Sequence, residues 1–120
     1  MPQFQVGEVP SGFTFTENET FIDYKNALLL AVPKANQAGA WGDLWLSLGS
    51  GWADAKLRVS YYTDAGWSAY TTWDVKHDGP RVWNQLPATT LKIAIGRQKR
   101  DAADAADDVP VGWLLEYSDM

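Results

Sequence analysis

Ala55-Lys56-Leu57-Arg58-Val59-Ser60-Tyr61-Tyr62-Thr63 puts Leu57, Val59 and Tyr61 on one side of an extended chain and Lys56, Arg58, Ser60 and Tyr62 on the other. Successive side chains of a β-strand point to opposite faces, so this two-residue period marks a strand with one buried face. Asp64-Ala65-Gly66 follows as a compact turn, with a glycine available for positive φ, and a second β-rich run covers Trp67–Val75. Together they predict a hairpin.

The same pattern recurs on both sides of that hairpin. Downstream, Asp78-Gly79-Pro80 reads as a turn and Arg81–Leu86 as a strand; Pro87 breaks the ladder, and Thr90–Arg97 aligns Leu91, Ile93 and Ile95. Val111–Tyr117 aligns Val111, Trp113, Leu115 and Tyr117. Upstream, Ala27–Val32 is an apolar run ended by Pro33, and Gly42–Leu48 aligns Leu44, Leu46 and Leu48. Gly12–Thr16 and Thr20–Tyr24 are shorter strand candidates. About eight strands with turn signals every ten residues or so predict an all-β antiparallel β-sandwich of jelly-roll or Greek-key type. Leu57, Val59, Leu91, Ile93, Ile95 and Leu115 are expected in one core. The one helical patch is Gln98–Ala106, where Arg97 with Asp101 and Arg100 with Asp104 have i,i+4 spacing in the weaker, basic-to-acidic order, so that a single turn or a loop fits it equally well.

With 120 residues, 46% of them hydrophobic, and no long Pro/Gly/Ser-rich linker, residues 1–120 are expected to form one domain. Zero Cys excludes disulfide scaffolds, zinc ribbons and thiol catalysis. A formal charge of −5 and a pI near 4.6 argue against nucleic acid and anionic lipid as partners. No apolar run is long enough for a membrane span, so membrane insertion is not expected. Ala38-Gly39-Ala40-Trp41 beside Asp64-Ala65-Gly66-Trp67 is too short a match to be a repeat.

Seven Trp in 120 residues exceed what a core of this size absorbs, because each buried indole N–H needs a partner. Strand parity says where the surplus goes. With Leu44, Leu46 and Leu48 inward, Trp41, Asp43, Trp45 and Ser47 face outward; with Val82, Asn84 and Leu86 inward, Arg81, Trp83 and Gln85 do so. The same logic exposes Lys56, Arg58 and Tyr62, and it exposes Tyr70 and Asp74 if Trp67, Trp73 and Val75 are buried.

Such an outward face has the chemistry of a sugar site. The apolar C–H face of a pyranose packs on an indole, and its hydroxyls need fixed planar donors and acceptors. Asp43, Trp45, Arg58, Tyr62, Tyr70, Trp83 and Gln85 are therefore the candidate ligand-binding residues, with a glycan as ligand. The same aromatics also suit subunit contacts, since interfaces are enriched in Trp, Tyr and Arg. Two functions follow: a non-catalytic, lectin-like glycan-binding protein, or a structural assembly module such as a phage or viral capsid-decorating or tail protein. Both predict a homo-oligomer.

Catalysis, metal and cofactor are not expected. His77 is the single histidine, set in a predicted turn, and no nucleophile elbow accompanies it. Gly49-Ser50-Gly51 lacks the Lys of a phosphate loop. Asp101, Asp104, Asp107 and Asp108 lack the spacing of a calcium loop and read as a solvated acidic stretch.

Overall fold

The computed structural model describes residues 3–16, 27–32, 42–49, 54–76, 82–87, 89–99 and 108–117. Ten strands run through them: β1 (Gln3–Glu8), β2 (Thr14–Thr16), β3 (Leu28–Ala31), β4 (Gly42–Leu48), β5 (Asp54–Thr63), β6 (Gly66–Trp67), β7 (Thr71–Lys76), β8 (Val82–Gln85), β9 (Lys92–Lys99) and β10 (Val111–Tyr117). Sheet A has the order β1-β10-β4-β8. In sheet B, β9 and β5 form the centre; β2 and β3 share the far side of β9, and β6 and β7 share the far side of β5.

Taking β2/β3 and β6/β7 as one position each, the positions pair first with last, inward along the chain. β1 joins β10, β2/β3 joins β9, β4 joins β8, and β5 joins β6/β7. A ribbon paired in this way and rolled into two sheets is a jelly roll, so the expected all-β sandwich and its type are what the chain forms. Every pairing is antiparallel apart from β2 with β9, which is parallel.

The core lies between the sheets. Leu44, Leu46, Leu48, Val111 and Leu115 of sheet A meet Leu57, Val59, Tyr61, Trp73, Val75, Ile93 and Ile95 of sheet B. Burial along β4 alternates residue by residue, as the pleat requires when one face is dry. Leu91, expected in this core, is only half-buried; it precedes β9, and its N–H donates to the Tyr62 carbonyl at 2.7 Å.

Two sequence expectations change here. The helical patch from Gln98 is overridden at its start, because β2 pairs with β9 through Lys99 and satisfies the backbone as strand. Its remainder, residues 100–106, lies outside the described residues, as do the strand candidate Thr20–Tyr24 and the turn Asp78-Gly79-Pro80. Arg97 points inward and is buried: its Nε donates to the Val109 carbonyl at 2.7 Å, Nη1 to Pro10 at 2.7 Å and Nη2 to Val9 at 2.9 Å. A guanidinium has five N–H donors in a fixed plane, and here it ties the chain leaving β1 to the chain entering β10.

The second change concerns Trp67–Val75, which is two strands and not one. Val59 pairs with Thr71 and Tyr62 with Trp67, so Ser60 and Tyr61 lie opposite three residues, Ser68, Ala69 and Tyr70. That extra residue is a β-bulge. Ser68 closes it: its N–H donates to the Tyr61 carbonyl at 2.8 Å, and its Oγ accepts the Tyr61 N–H at 3.0 Å. The bulge reverses parity, so Trp67 joins the outer face while Trp73 and Val75 remain in the core.

Strand β1 had no counterpart among the expected strands. Its burial does not alternate; all its side chains are exposed, with Gly7 half-buried. Gly7 is needed for close approach, since a Cβ there would lie 2.7 Å from the Trp113 ring.

Candidate functional site

The registers of sheet A assemble its outer face in rows. Val6 lies opposite Leu114, Leu114 opposite Trp45, and Trp45 opposite Trp83. The next row holds Phe4, Glu116, Asp43 and Gln85 in the same strand order. A third holds Glu8, Gly112 and Ser47. Phe4 is 57% and Val6 69% exposed, whereas Leu114, Trp45, Asp43 and Glu116 are half-buried among their neighbours. Gly112 leaves a shallow depression of about 120 Å³ bordered by Val6, Trp45, Ser47 and Leu114. A Cβ at this position would come within 3.0 Å of the Ser47 Oγ. Partial burial pushes the Asp43 carboxyl above its ordinary value, since loss of water disfavours the charged form.

The outer face of sheet B has a different character. The Arg58 guanidinium lies over the Tyr70 ring, 3.7 Å from its centroid, and 5.3 Å from that of Phe15. It fits because its strand neighbour is Gly96 and the next pair along is Ser60 with Ala94, none of which fills the space above the sheet. Arg58, Ser60, Phe15, Ala27 and Ala94 are all buried, with Trp67 packed against the apolar members. Toward the edge, Tyr62 and Trp67 have ring centroids 5.2 Å apart, and the Lys92 ammonium lies 5.5 Å from the Tyr62 ring.

The seven sequence-derived residues therefore fall into two groups. Asp43, Trp45 and Gln85 share the outer face of sheet A, and the register of β4 with β8 sets Trp45 opposite Trp83 and Asp43 opposite Gln85. Arg58, Tyr62 and Tyr70 belong to the outer face of sheet B, across the whole thickness of the core. No single pocket unites Asp43 and Gln85 with Arg58, and Arg58 is covered by the rings beside it.

Trp41, Arg81, His77, Asp101, Asp104 and Asp107 lie outside the described residues. Asp108 accepts a hydrogen bond from the Ser11 hydroxyl. Among the described residues no group of three or more His, Asp or Glu side chains is gathered as a metal site.

Phe4, Val6 and Leu114 were not singled out in the sequence, although they complete the outer face of sheet A. The signal was present in Gln3-Phe4-Gln5-Val6, a period-2 alternation whose apolar side faces solvent.

No protein-family model matches this sequence, and no curated protein matches it. Among solved structures the chain is similar to one from work described as "Bacillus endospore appendages form a novel family of disulfide-linked pili". The TM-score is 0.56, and the match covers 98% of this chain and 84% of that one. What the two share is the fold. At 10% sequence identity the likeness carries no residue-level correspondence.

Proposed function

We propose that this protein is a structural subunit that binds copies of itself through the outer face of sheet A. The observation that carries this reading is the exposure of Phe4 and Val6 on the outer side of β1, with the row of Val6 continuing into Leu114 and Trp45. Contiguous apolar surface on a folded domain marks a contact site, because covering it removes that area from water. Membership of the jelly-roll class does not decide between lectin and capsid-type roles, since both use it. The similar structure belongs to a pilus, which fits an assembly role. With no Cys in the chain, copies of it would be held without disulfide links.

Sedimentation velocity over a concentration series tests the reading directly. The wild-type chain is expected to shift to larger species as concentration rises, and Val6→Asp to stay monomeric with an unchanged far-ultraviolet spectrum. A wild-type monomer at high micromolar concentration overturns the proposal.

A second reading keeps sugar binding on the same face, favoured by the placement of Trp45 opposite Trp83 with Asp43 opposite Gln85 one row away. The site would then comprise these four positions, without Arg58, Tyr62 or Tyr70. A glycan array is the test: binding by the parent chain that Trp45→Ala abolishes supports it, and an array without any bound glycan removes it.

A further inference from the structure

We infer that the outer face of sheet A binds the outer face of sheet B on the next copy, so that the contact is head-to-tail. The inference rests on the assembly reading and names the partner surface within it. Glu8, Asp43 and Glu116 are the charged side chains described on the outer face of sheet A, and all three are acidic. On the outer face of sheet B, by contrast, the exposed charged side chains described are Lys56, Lys76 and Lys92 with Asp74, and the register sets Asp74 opposite Lys56 and Asp54 opposite Lys76, which leaves Lys92 as the lysine without a carboxylate across from it in the strand register.

Apolar surface is distributed to match. Besides Phe4 and Val6, Leu29 is the third exposed large hydrophobic side chain among the described residues, at 42%. It pairs with Ala94 and so lies on the outer face of sheet B, one pair along from Lys92 and Tyr62. Sheet A thus offers apolar Phe4 and Val6 among carboxylates, and sheet B offers Leu29 beside the Lys92 ammonium.

Charge decides between the two ways of pairing copies. Sheet A against sheet A would bring Glu8, Asp43 and Glu116 of one copy against the same three of the other, in a contact that excludes water. Like charges set together without water are strongly unfavourable, whereas opposite charges fix register and speed encounter. Size permits the contact: the chain measures 46 × 30 × 19 Å, and a face bounded by the two longer dimensions exceeds the ~800 Å² per partner of a standard interface. Because the two surfaces differ, the assembly keeps a free sheet A face at one end and a free sheet B face at the other, and it grows as an open chain or closes as a ring.

Two charge-reversed variants of the full chain test this by sedimentation velocity. One carries Glu8→Lys and Glu116→Lys on sheet A; the other carries Lys56→Glu and Lys92→Glu on sheet B. Self-association of each alone is expected to weaken roughly tenfold or more, and an equimolar mixture to recover it, because the reversed faces complement each other. The sheet B variant is decisive. If it assembles as the wild type does, or if the mixture fails to recover, the head-to-tail contact is overturned while the assembly reading stands. A monomeric wild type would instead remove the assembly reading itself. Should the sheet A double variant fail to fold, Glu8→Lys at its exposed position replaces it in the mixture.

Discussion

Sheet A and sheet B each turn aromatic and charged side chains away from the core, yet Val6 on sheet A is 69% exposed while Phe15 on sheet B is 2% exposed. The difference lies in what sits on each sheet. Over sheet B, Phe15, Ala27 and Trp67 form a second apolar cluster, and the Arg58 guanidinium fills the gap above Gly96 between Tyr70 and Phe15. Over sheet A the apolar row from Val6 to Trp45 ends in solvent at β1. An outward position on a strand is thus not the same as a surface position. A cation at an outward position can be structural, and an aliphatic side chain there can be a contact site.

Substitutions that probe the closed face should have the largest effects. Phe15→Ala removes a fully buried ring from the second cluster and is expected to cost about 3–5 kcal/mol in urea unfolding. A cost below about 1 kcal/mol would mean that sheet B's outer face is as open as sheet A's.

Arg58→Ala comes next, at about 2 kcal/mol, through loss of the stacked guanidinium and of its buried stem. Arg58→Lys should recover only part of this, because an ammonium has no plane to stack on Tyr70. Equal stability of the lysine variant and the wild type would show that charge alone, and not planar packing, holds this position.

On the open face, Val6→Ser should change the stability of dilute protein by no more than about 0.5 kcal/mol, since no core cavity forms. Self-association measured by light scattering should weaken even so. A large loss of stability in dilute protein would place Val6 in the folded unit's own core and erase the contrast between the faces.

The smallest effect belongs to Asp43→Asn, and it depends on pH. Burial raises the folded-state value of Asp43 above its ordinary 3.8, so the folded protein holds this proton more tightly than the unfolded chain. Stability then falls as pH rises from the unfolded value through the raised folded one, and the penalty is complete above that window. Asp43→Asn should therefore be slightly more stable than wild type near neutral pH, and the gap should close below the ordinary carboxylate value. An acid-to-neutral stability series showing a constant gap would argue for a lost hydrogen bond in place of desolvation.

Most of the fold was legible because the pleat is a local property. Gly42–Leu48 and Val111–Tyr117 coincide with β4 and β10 to the residue, and their alternation names the faces they present. The site was legible only in half. Trp45 opposite Trp83 and Asp43 opposite Gln85 follow from parity once β4 and β8 are neighbours. Gln3–Glu8 was passed over although Phe4 and Val6 alternate with Gln3 and Gln5, because the alternation is short and its apolar side is exposed and not buried.

What the sequence determined by itself is the set of strands and, within each, which residues share a side, because side-chain alternation follows from the geometry of consecutive residues. Only the tertiary structure decided which strands became neighbours. Pairing between Arg58 and Gly96, or between Trp45 and Leu114, joins residues far apart in the chain, and no local period encodes it. That choice put Asp43, Trp45, Trp83 and Gln85 on one sheet and Arg58, Tyr62 and Tyr70 on the other. It also turned Trp67 outward through the bulge at Ser68, and it drew Arg97 out of an apparent helical charge pattern to bond three carbonyls at the end of the core.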